Sequence, residues 1–403
     1  MVADKRFLRT IRSRNILSFG PESPELQLQS LNILIGPNGS GKSNLIESIA
    51  MLQAAPGNLL DPIQTGGGIN EWLWKGADQT PTAEIEATID YPGGKMPLRH
   101  RLALTMIGQR AELVDESIEN EHSDGRSGRE EPDFYYRYGF GRPVLNVKTA
   151  ADPEGRALRG IRREDLPLDQ SVLSQRKDPD QYPEVTYLGN QYAKFKLFRE
   201  WNLGRNTAPR KPQTTDLASD FLREDAANLA LVLNDLEHRS SLRRSLVERL
   251  KDADASIEDF STKVLGGTIQ LFLHYAGLRS PLPATRLSDG TIRYLCLLAV
   301  LCHPQPPPLV CLEEPELGLH PDLLPGLADL FVEASHRMQL IVTTHSDTLV
   351  DGFTKVPEAV VVCEKREGST EMYRKTSTEL TKWLKDYGLG QLWRRGEIGG
   401  NRW

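Results

Sequence analysis

The chain has 403 residues, of which 39% are hydrophobic and 26% charged, and its formal net charge is −6. This composition can bury a sizeable core, but it provides no overall positive field, which disfavours a general nucleic-acid binder and leaves only local basic patches for such a role. The N-terminal stretch MVADKRFLRTIRSRN lacks the apolar segment of a secretory signal. The longest apolar run, YLCLLAVLC at 294–302, is about half of the roughly 20 residues that a membrane-spanning helix needs. We therefore expect a cytoplasmic protein without a membrane partner.

The first part of the chain predicts strands around one helix. Residues 7–19 predict an edge strand and a turn, and the apolar run LNILI at 31–35 predicts a buried strand. A helix is expected from about 42 to 54, because apolar residues recur there on one face. AEIEATI at 83–89 alternates as a half-buried strand does. Two further strand-like runs joined by residues 107–109 predict a β-hairpin.

Polar linkers and a helical pattern follow before the strands return. HSDGRSGREEPD at 122–133 is expected to be a mobile loop, and GRNTAPRKPQTT at 204–215 a linker. The apolar spacing from about 216 to 250 is helical. LVCL at 309–312 and LIVTTH at 340–345 predict two more buried strands.

GPNGSGKS at 36–43 matches the pattern G-x-x-x-x-G-K-[ST] at every position, between a predicted strand and a predicted helix. Glycines allow backbone N–H groups to close around phosphate oxygens, and the helix start adds partial positive charge. Lys42 would reach the β- and γ-phosphates of ATP, and Ser43 would bind Mg²⁺. The expected ATP-binding residues are Gly36, Pro37, Asn38, Gly39, Ser40, Gly41, Lys42, Ser43 and Asn44.

LVCLEEP ends a predicted strand with two adjacent carboxylates, Glu313 and Glu314. Glu313 is expected to hold Mg²⁺ directly or through water, and a water-mediated contact tolerates glutamate where aspartate is usual. Glu314 is placed to orient or deprotonate an attacking water, and such general-base help is worth about 10²–10⁴-fold in rate. The alternative is a solvated acidic turn.

Two shorter motifs are ambiguous when taken alone. LSDGT at 287–291 precedes an apolar helical run, so Ser288, Asp289 and Gly290 could form a second anion-binding nest or a simple helix cap. THSD at 343–346 places His345 directly after a buried strand, where a lone histidine is usually structural.

The order of P-loop, LSDGT, acid pair and histidine resembles that of ABC-type ATPase heads in the RecF, SMC and OLD branch, over about 1–90 and 281–363. This resemblance implies that Ser288, Asp289 and Gly290 contact, in trans, the γ-phosphate of ATP held by a partner's P-loop. It also implies a D-loop at 317–320, and a catalytic role for His345 as a γ-phosphate sensor beside Glu314. The glutamine of the family's Q-loop stays open between Gln109, Gln170 and Gln175.

The resemblance further implies an α/β P-loop NTPase fold, an ABC-type head with an inserted, mostly helical lobe. The N-terminal ATPase lobe would span 1–145, the inserted region 146–280 and the C-terminal ATPase lobe 281–403. The implied function is ATP hydrolysis with Mg²⁺ by a homodimer or higher oligomer that acts on nucleic acid. The stretch after His345 shows no acidic D-x-D cluster, so we expect no nuclease domain in this chain. It would instead control a separate effector, such as a nuclease, in phage defence or DNA repair.

Two alternatives for the function remain, a RecF-like DNA-binding repair clamp without an effector and the ATPase subunit of a membrane transporter. Three segments each have two possible roles. Trp72 and Trp74, within 66–76, form either a packed loop or one that faces a partner or DNA. The basic helix near 236–252 is either solvated or contacts phosphates, and the tail at 393–403 either packs or docks. The four cysteines show no C-x-x-C spacing and are expected to be buried thiols.

Overall fold

A computed structural model of the protein describes residues 5–123, 131–139, 142–149, 152–160, 167, 169–380 and 383–400. The loop predicted at 122–133 lies largely outside these residues. Within them, the strands form three sheets of eight, six and four strands. No helix in this part of the chain is long and apolar enough to cross a membrane.

The secondary-structure elements are numbered in chain order. The strands are β1 (Leu8–Arg14), β2 (Leu26–Gln27), β3 (Leu31–Ile35), β4 (Ala83–Ile89), β5 (Leu98–Ile107), β6 (Arg110–Asn120), β7 (Phe134–Gly139), β8 (Arg142–Thr149), β9 (Asp152–Gly160), β10 (Lys196–Phe198), β11 (Gln213–Thr214), β12 (Ile257–Leu265), β13 (Thr268–Tyr275), β14 (Leu282–Pro283), β15 (Leu309–Glu313), β16 (Gln339–Thr343), β17 (Val360–Arg366) and β18 (Ser369–Tyr373). The α-helices are α1 (Lys42–Ala54), α2 (Asp61–Thr65), α3 (Ile69–Trp72), α4 (Val172–Gln175), α5 (Pro183–Tyr192), α6 (Leu229–Glu237), α7 (Ser240–Ala253), α8 (Asp289–Leu301), α9 (Leu324–Ser335), α10 (Asp347–Asp351), α11 (Ser377–Leu380) and α12 (Leu389–Arg394).

The six-stranded sheet is the core of the molecule and has the order β10-β15-β16-β3-β17-β18. Its first five strands are parallel, and β18 pairs antiparallel at the edge. Both β3 and β16 are buried at every position, as expected for parallel strands covered on both faces. The buried strands predicted at 31–35 and 309–312 are thus confirmed, and the one predicted at 340–345 is confirmed as a strand that ends at Thr343. Because parallel strands end at one edge, the P-loop, the acid pair and His345 all follow strands that end together.

Two hydrophobic clusters cover the two faces of this sheet. Along β3, Ile33 and Ile35 pack into one cluster, whereas Leu34 packs into the other, as the two-residue period of a strand requires. The first cluster includes residues of α8, α9, α10 and α12, and the second includes residues of α1, α5 and the eight-stranded sheet. The cluster on one face is therefore built from helices together with the β12–β13 hairpin, and the cluster on the other face from helices together with the eight-stranded sheet.

The eight-stranded sheet has the antiparallel order β2-β1-β4-β5-β6-β7-β8-β9. The strand predicted at 83–89 and the hairpin predicted around 107–109 are confirmed as β4 and as β5–β6. The edge position predicted for the strand within 7–19 is wrong. The two-residue β2 pairs with the outer side of β1, so that β1 lies second in the sheet.

The region 146–280 is not mostly helical, because strands β9 to β13 alternate with helices α4 to α7. The helical pattern expected from about 216 begins only at Leu229 and is broken between α6 and α7. Strands β12 and β13 form a hairpin whose turn, Gly266-Gly267, has two positive φ angles of 58° and 77°. A Gly-Gly turn between runs of alternating apolar and polar residues is typical of a β-hairpin. The prediction of a mostly helical region did not take this pattern into account. The lobe boundaries predicted near 145 and 280 stay predictions.

Candidate nucleotide-binding site

The P-loop between β3 and α1 has a backbone that only glycine can adopt at its key positions. Gly36, Gly39 and Gly41 have φ angles of 149°, 78° and 98°. A Cβ atom at Gly36 would lie 2.2 Å from the carbonyl oxygen of Cys363, and one at Gly41 would lie 2.2 Å from Thr370 Oγ1. Gly36 and Gly41 are therefore required by both backbone conformation and close packing, whereas Gly39 is favoured by backbone conformation alone.

A group of polar side chains from distant segments braces the P-loop. Thr370 Oγ1, on β18, lies 3.0 Å from the carbonyl oxygen of Ser40 and 2.6 Å from Ser18 Oγ. Asn44 Nδ2 donates to Ser18 Oγ at 2.7 Å. Ser18 and Thr370 were not predicted as site residues, because neither lies in a sequence motif. They attach the loop and the first turn of α1 to the edge of the core sheet.

Lys42 lies folded over the P-loop, with only 5% of the residue exposed. Its Nζ donates to the carbonyl oxygens of Gly36 at 2.8 Å and Pro37 at 3.1 Å. Burial lowers the pKa of Lys42, while negative charges that include Glu313 and Glu314 oppose this shift. The ammonium group thus lies within the loop that would hold phosphates, with acidic groups nearby.

Ser43 and Glu313 meet at the ends of neighbouring elements. The Ser43 side chain lies beside the Glu313 carboxylate. Burial raises the pKa of Glu313, and the Ser43 hydroxyl and the charge of Arg199 act in the opposite direction. A hydroxyl and a carboxylate are oxygen ligands that Mg²⁺ prefers. The pair predicted to bind the metal is therefore brought together, and its donor set fits that ion.

Glu314 and His345 form a second pair at the same strand edge. Glu314 has a positive φ of 43°, a conformation that costs about 1–3 kcal/mol in a non-glycine residue and that occurs often at active sites. Its backbone N–H donates to the carbonyl oxygen of Thr343 at 3.1 Å. Nε2 of His345 lies 3.5 Å from Oε1 of Glu314, and about a third of each side chain is exposed. Both groups are thus accessible beside the P-loop.

Glu316 is a third acid that sequence analysis did not select. Its Oε1 accepts hydrogen bonds from the Thr344 hydroxyl at 2.5 Å and the His345 backbone N–H at 3.0 Å. Burial raises the pKa of Glu316. The carboxylate joins the loop after β15 to the loop after β16, and so fixes the relative positions of Glu314 and His345.

The predicted signature forms the start of α8, away from the P-loop. Ser288 is exposed and caps the helix, because its Oγ accepts from the Thr291 N–H at 3.0 Å. A Cβ at Gly290 would lie 2.6 Å from the carbonyl oxygen of Gly318, so the predicted signature packs on the predicted D-loop. Ser288, Gly290, Gly318 and His320 line a cavity of about 280 Å³, and its lining, among the described residues, includes none from the P-loop.

Arg210, which lies in the predicted linker at 204–215, is a buried residue that binds the signature segment. The residue is only 1% exposed. Its Nε donates to the carbonyl oxygen of Leu203 at 2.6 Å. Its Nη1 and Nη2 donate to the carbonyl oxygen of Leu287 and to Asp289 Oδ1. Asp289 therefore binds a buried arginine of the middle region.

The remaining candidate glutamines do not follow strands of the core sheet. Gln109 lies in the β5–β6 turn. Gln175 is the last residue of α4, and Gln170 lies just before that helix. Trp72 is buried at 2% exposure, whereas Trp74 is half-buried and directs Nε1 to the Gly368 carbonyl oxygen at 3.5 Å. The loop thus packs one ring and partly exposes the other.

The basic helix and the C-terminal tail make contacts within the chain. In α7, Arg243 binds Asp259 and Arg249 binds Glu333, so the basic helix is partly neutralised. In the tail, Trp393 Nε1 donates to the Gly400 carbonyl oxygen at 3.1 Å. The four cysteines are free thiols, three buried and one half-buried.

Comparison with solved structures supports the fold. An SMC head bound to the C-terminal winged-helix domain of ScpA shares 13% identity, with a TM-score of 0.59, covering 93% of this chain and 99% of that one. The SMC head from Pyrococcus furiosus with an extended coiled coil, bound to the C-terminal domain of ScpA, shares 14% identity and has a TM-score of 0.55. That match covers 94% of this chain and 99% of the other. The predicted fold class, an ABC-type P-loop ATPase head, is confirmed.

Comparison of the sequence with known proteins identifies the family. A search of the curated proteins found no match, whereas a family model did match. The model of one family, described as "AAA domain, putative AbiEii toxin, Type IV TA system", matches residues 31–351 and so spans the P-loop, the signature, the acid pair and His345. The chain therefore belongs to this AAA-domain family of P-loop ATPases.

Proposed function

We propose that the protein is an ATP-binding and ATP-hydrolysing switch in which two copies close on each other around two ATP molecules. The observation that supports this most strongly is the division of the site residues into two groups. Lys42, Ser43 and Glu313 share one strand edge, whereas Ser288 and Gly290 line a separate cavity. Phosphates held by the first group would therefore meet the second group only on another chain.

The first group can perform the hydrolysis. Backbone N–H groups of the P-loop and the Lys42 ammonium would bind the phosphates. Ser43 and Glu313 would hold Mg²⁺, which when bound neutralises charge on the phosphate oxygens and orients them. Glu314 would accept the proton of the attacking water, and His345 would keep that carboxylate in place through its Nε2, 3.5 Å away. General-base catalysis of this kind contributes about 10²–10⁴-fold.

The switch would act by controlling a partner protein. Two ATP-linked states can bias a partner only through surfaces that differ between them. The SMC heads of similar fold are bound to domains of ScpA, which supports protein docking as a role for such heads. The matching family is described as a putative toxin of a type IV toxin–antitoxin system. This description is compatible with a role in phage defence, with DNA repair as the other setting. Within that setting, the role proposed here is cytoplasmic control of a separate effector, such as a nuclease.

Direct DNA binding by the isolated chain is the second function to test. Ion pairs of Arg243 with Asp259 and of Arg249 with Glu333 reduce the positive charge of α7, so the effector model is the better supported. We expect the purified chain to hydrolyse ATP slowly, to bind DNA weakly and to cleave no nucleic acid. Nuclease activity that persists through purification and is lost on mutation outside the ATP site would contradict the model.

A complementation experiment tests the two-chain site. Ser288→Arg fills the signature cavity of a chain without contacting its own P-loop, and Lys42→Ala removes the P-loop cation while leaving the signature intact. Each variant alone should be inactive. Mixed heterodimers should recover turnover from one composite site, up to about half of the wild-type activity.

The control is Ser241→Arg, an exposed serine near the start of α7, which should leave turnover unchanged. Absence of any recovered activity, with heterodimers shown to form, would refute the proposal. Full activity of Ser288→Arg by itself would also refute it.

A further inference from the structure

Arg199 is a half-buried arginine beside the nucleotide site, outside every motif of the sequence. Strand β10 runs parallel to β15, and Phe198 lies level with Leu312. The next residue, Arg199, therefore comes level with Glu313, and its positive charge acts on that carboxylate. Its Nη1 donates to Oε1 of Glu47, on α1, at 2.8 Å.

The rest of this guanidinium group has no acceptor within the described part of the chain. Nε and Nη2 are both buried and lack a hydrogen-bond partner there. Buried unpaired donors are uncommon and indicate a ligand, an ion or a functional state. Three other arginines have a single buried nitrogen without a partner: Arg243, Arg337 and Arg374. Arg199 stands apart with two, and two parallel N–H groups suit a phosphate or a carboxylate.

Glu47 limits how this side chain can move. The Glu47 carboxylate belongs to the helix that begins at the P-loop, one turn beyond Ser43. Holding Nη1 there leaves Nε and Nη2 as the donors that remain for another group. Glu313 lies on the same side, but neither donor makes a hydrogen bond to it. An oxyanion beside the Ser43–Glu313 pair would satisfy both donors.

We propose that Arg199 binds the terminal phosphate of ATP within the same chain, through Nε and Nη2, while Glu47 anchors its third nitrogen. This inference rests on the proposed ATP-binding function. Arg199 and Lys42 would then contact the nucleotide from different elements, one from the end of β10 and the other from the P-loop. Because ADP lacks the γ-phosphate, Arg199 would make the free chain prefer ATP to ADP.

A merely structural role makes a different prediction. If Arg199 served only to neutralise Glu47 and Glu313, its loss would weaken the binding of ATP and ADP equally. If Arg199 binds the γ-phosphate, its loss would weaken the binding of ATP but not that of ADP. The ratio of the two dissociation constants therefore separates the roles, and it does not depend on hydrolysis.

The experiment measures binding of ATPγS and ADP, each with Mg²⁺, by calorimetry on wild-type protein and on Arg199→Met. Methionine keeps much of the aliphatic stem and removes every donor. We expect the dissociation constant of ATPγS to rise about 10–100-fold, as for lost hydrogen bonds to a charged group, and that of ADP to change by less than about 3-fold. Glu47→Gln should shift the ratio in the same direction but by less.

The control is Arg9→Met, since Arg9 binds Asp90 in an ion pair in which both side chains are more than 40% exposed. It should leave both constants unchanged. If Arg199→Met does not fold, Arg199→Gln is measured in the same way. Equal losses for the two nucleotides, or an unchanged ratio, would overturn the role of Arg199. Failure of the wild-type protein to bind either nucleotide would instead refute the proposed function.

Discussion

Replacing Arg210 tests how the signature segment is held in place. Arg210→Met retains much of the aliphatic packing but removes a long hydrogen bond of 3.4 Å to the carbonyl oxygen of Ala284 and the shorter ones to those of Leu203 and Leu287. Leu203 and Leu287 are both buried, with 5% and 6% exposure. An unpaired buried acceptor costs about 1–3 kcal/mol, so the two together should lower the free energy of unfolding by about 2–6 kcal/mol. The ion pair with Asp289 adds little, because that side chain is 73% exposed.

The assay compares urea unfolding, ATP binding and ATP turnover in Arg210→Met and wild type. Arg210 touches the signature and no part of the P-loop, so turnover should fall much more than ATP binding. Asp289→Asn is the matched control, because its amide oxygen can still accept the hydrogen bond from Arg210 while the charge of the exposed acid is lost, and it should lower stability by less than about 1 kcal/mol. A loss below about 1 kcal/mol in Arg210→Met would refute the reasoning. Equal losses of binding and turnover would show that Arg210 acts on the whole domain.

Three further predictions address the nucleotide site and the thiols. Lys42→Ala should abolish ATP binding measured by calorimetry, because it removes the loop's cation, and wild-type affinity would refute the site. Glu314→Gln should bind ATP but turn over at least about 10²-fold more slowly, whereas Glu313→Gln should also weaken the dependence on Mg²⁺; full activity of Glu314→Gln would move the general base elsewhere. Burial raises the pKa of Cys363 to about 12 and that of Cys302 to about 11. Thiolates should therefore be scarce at pH 8 and increase only as the pH approaches those values, so Ellman's reagent should react slowly until denaturant is added, and rapid reaction of the native protein would contradict this.

The parts of the fold that sequence analysis predicted well are those with local causes. The helix expected from about 42 to 54 is α1, with those ends, because the P-loop precedes it and apolar residues repeat along it. Two of the buried strands, β3 and β15, are found where an apolar run ends at glycine or at acids, and the third, β16, ends at Thr343. Ser43 and Glu313 were each expected to bind Mg²⁺ from their own motifs, and the structure brings them together because parallel strands end at one edge of a sheet.

The residues that were missed act across long stretches of sequence. Thr370 approaches Ser40 from 330 positions away, and Arg210 approaches Leu287 from 77 positions away. Arg199 follows a strand of three residues that has no motif. No local pattern records such contacts, because they depend on which strands become neighbours. The β12–β13 hairpin is different, since its alternation and its Gly-Gly turn could have been read from the sequence.

The loop after β15 connects the two groups of site residues within one chain. Glu314 and Glu316 belong to the proposed nucleotide site of the chain, whereas Gly318, two residues beyond Glu316, packs against Gly290 of the predicted signature. A side chain at Gly290 would collide with this loop, so the contact between the loop and α8 is tight. In the proposed dimer, a shift of Glu314 on hydrolysis would therefore be transmitted to the predicted signature, which faces the partner's ATP. Two sites linked in this way share a coupling free energy, and we expect the two composite sites of the dimer to open and close together.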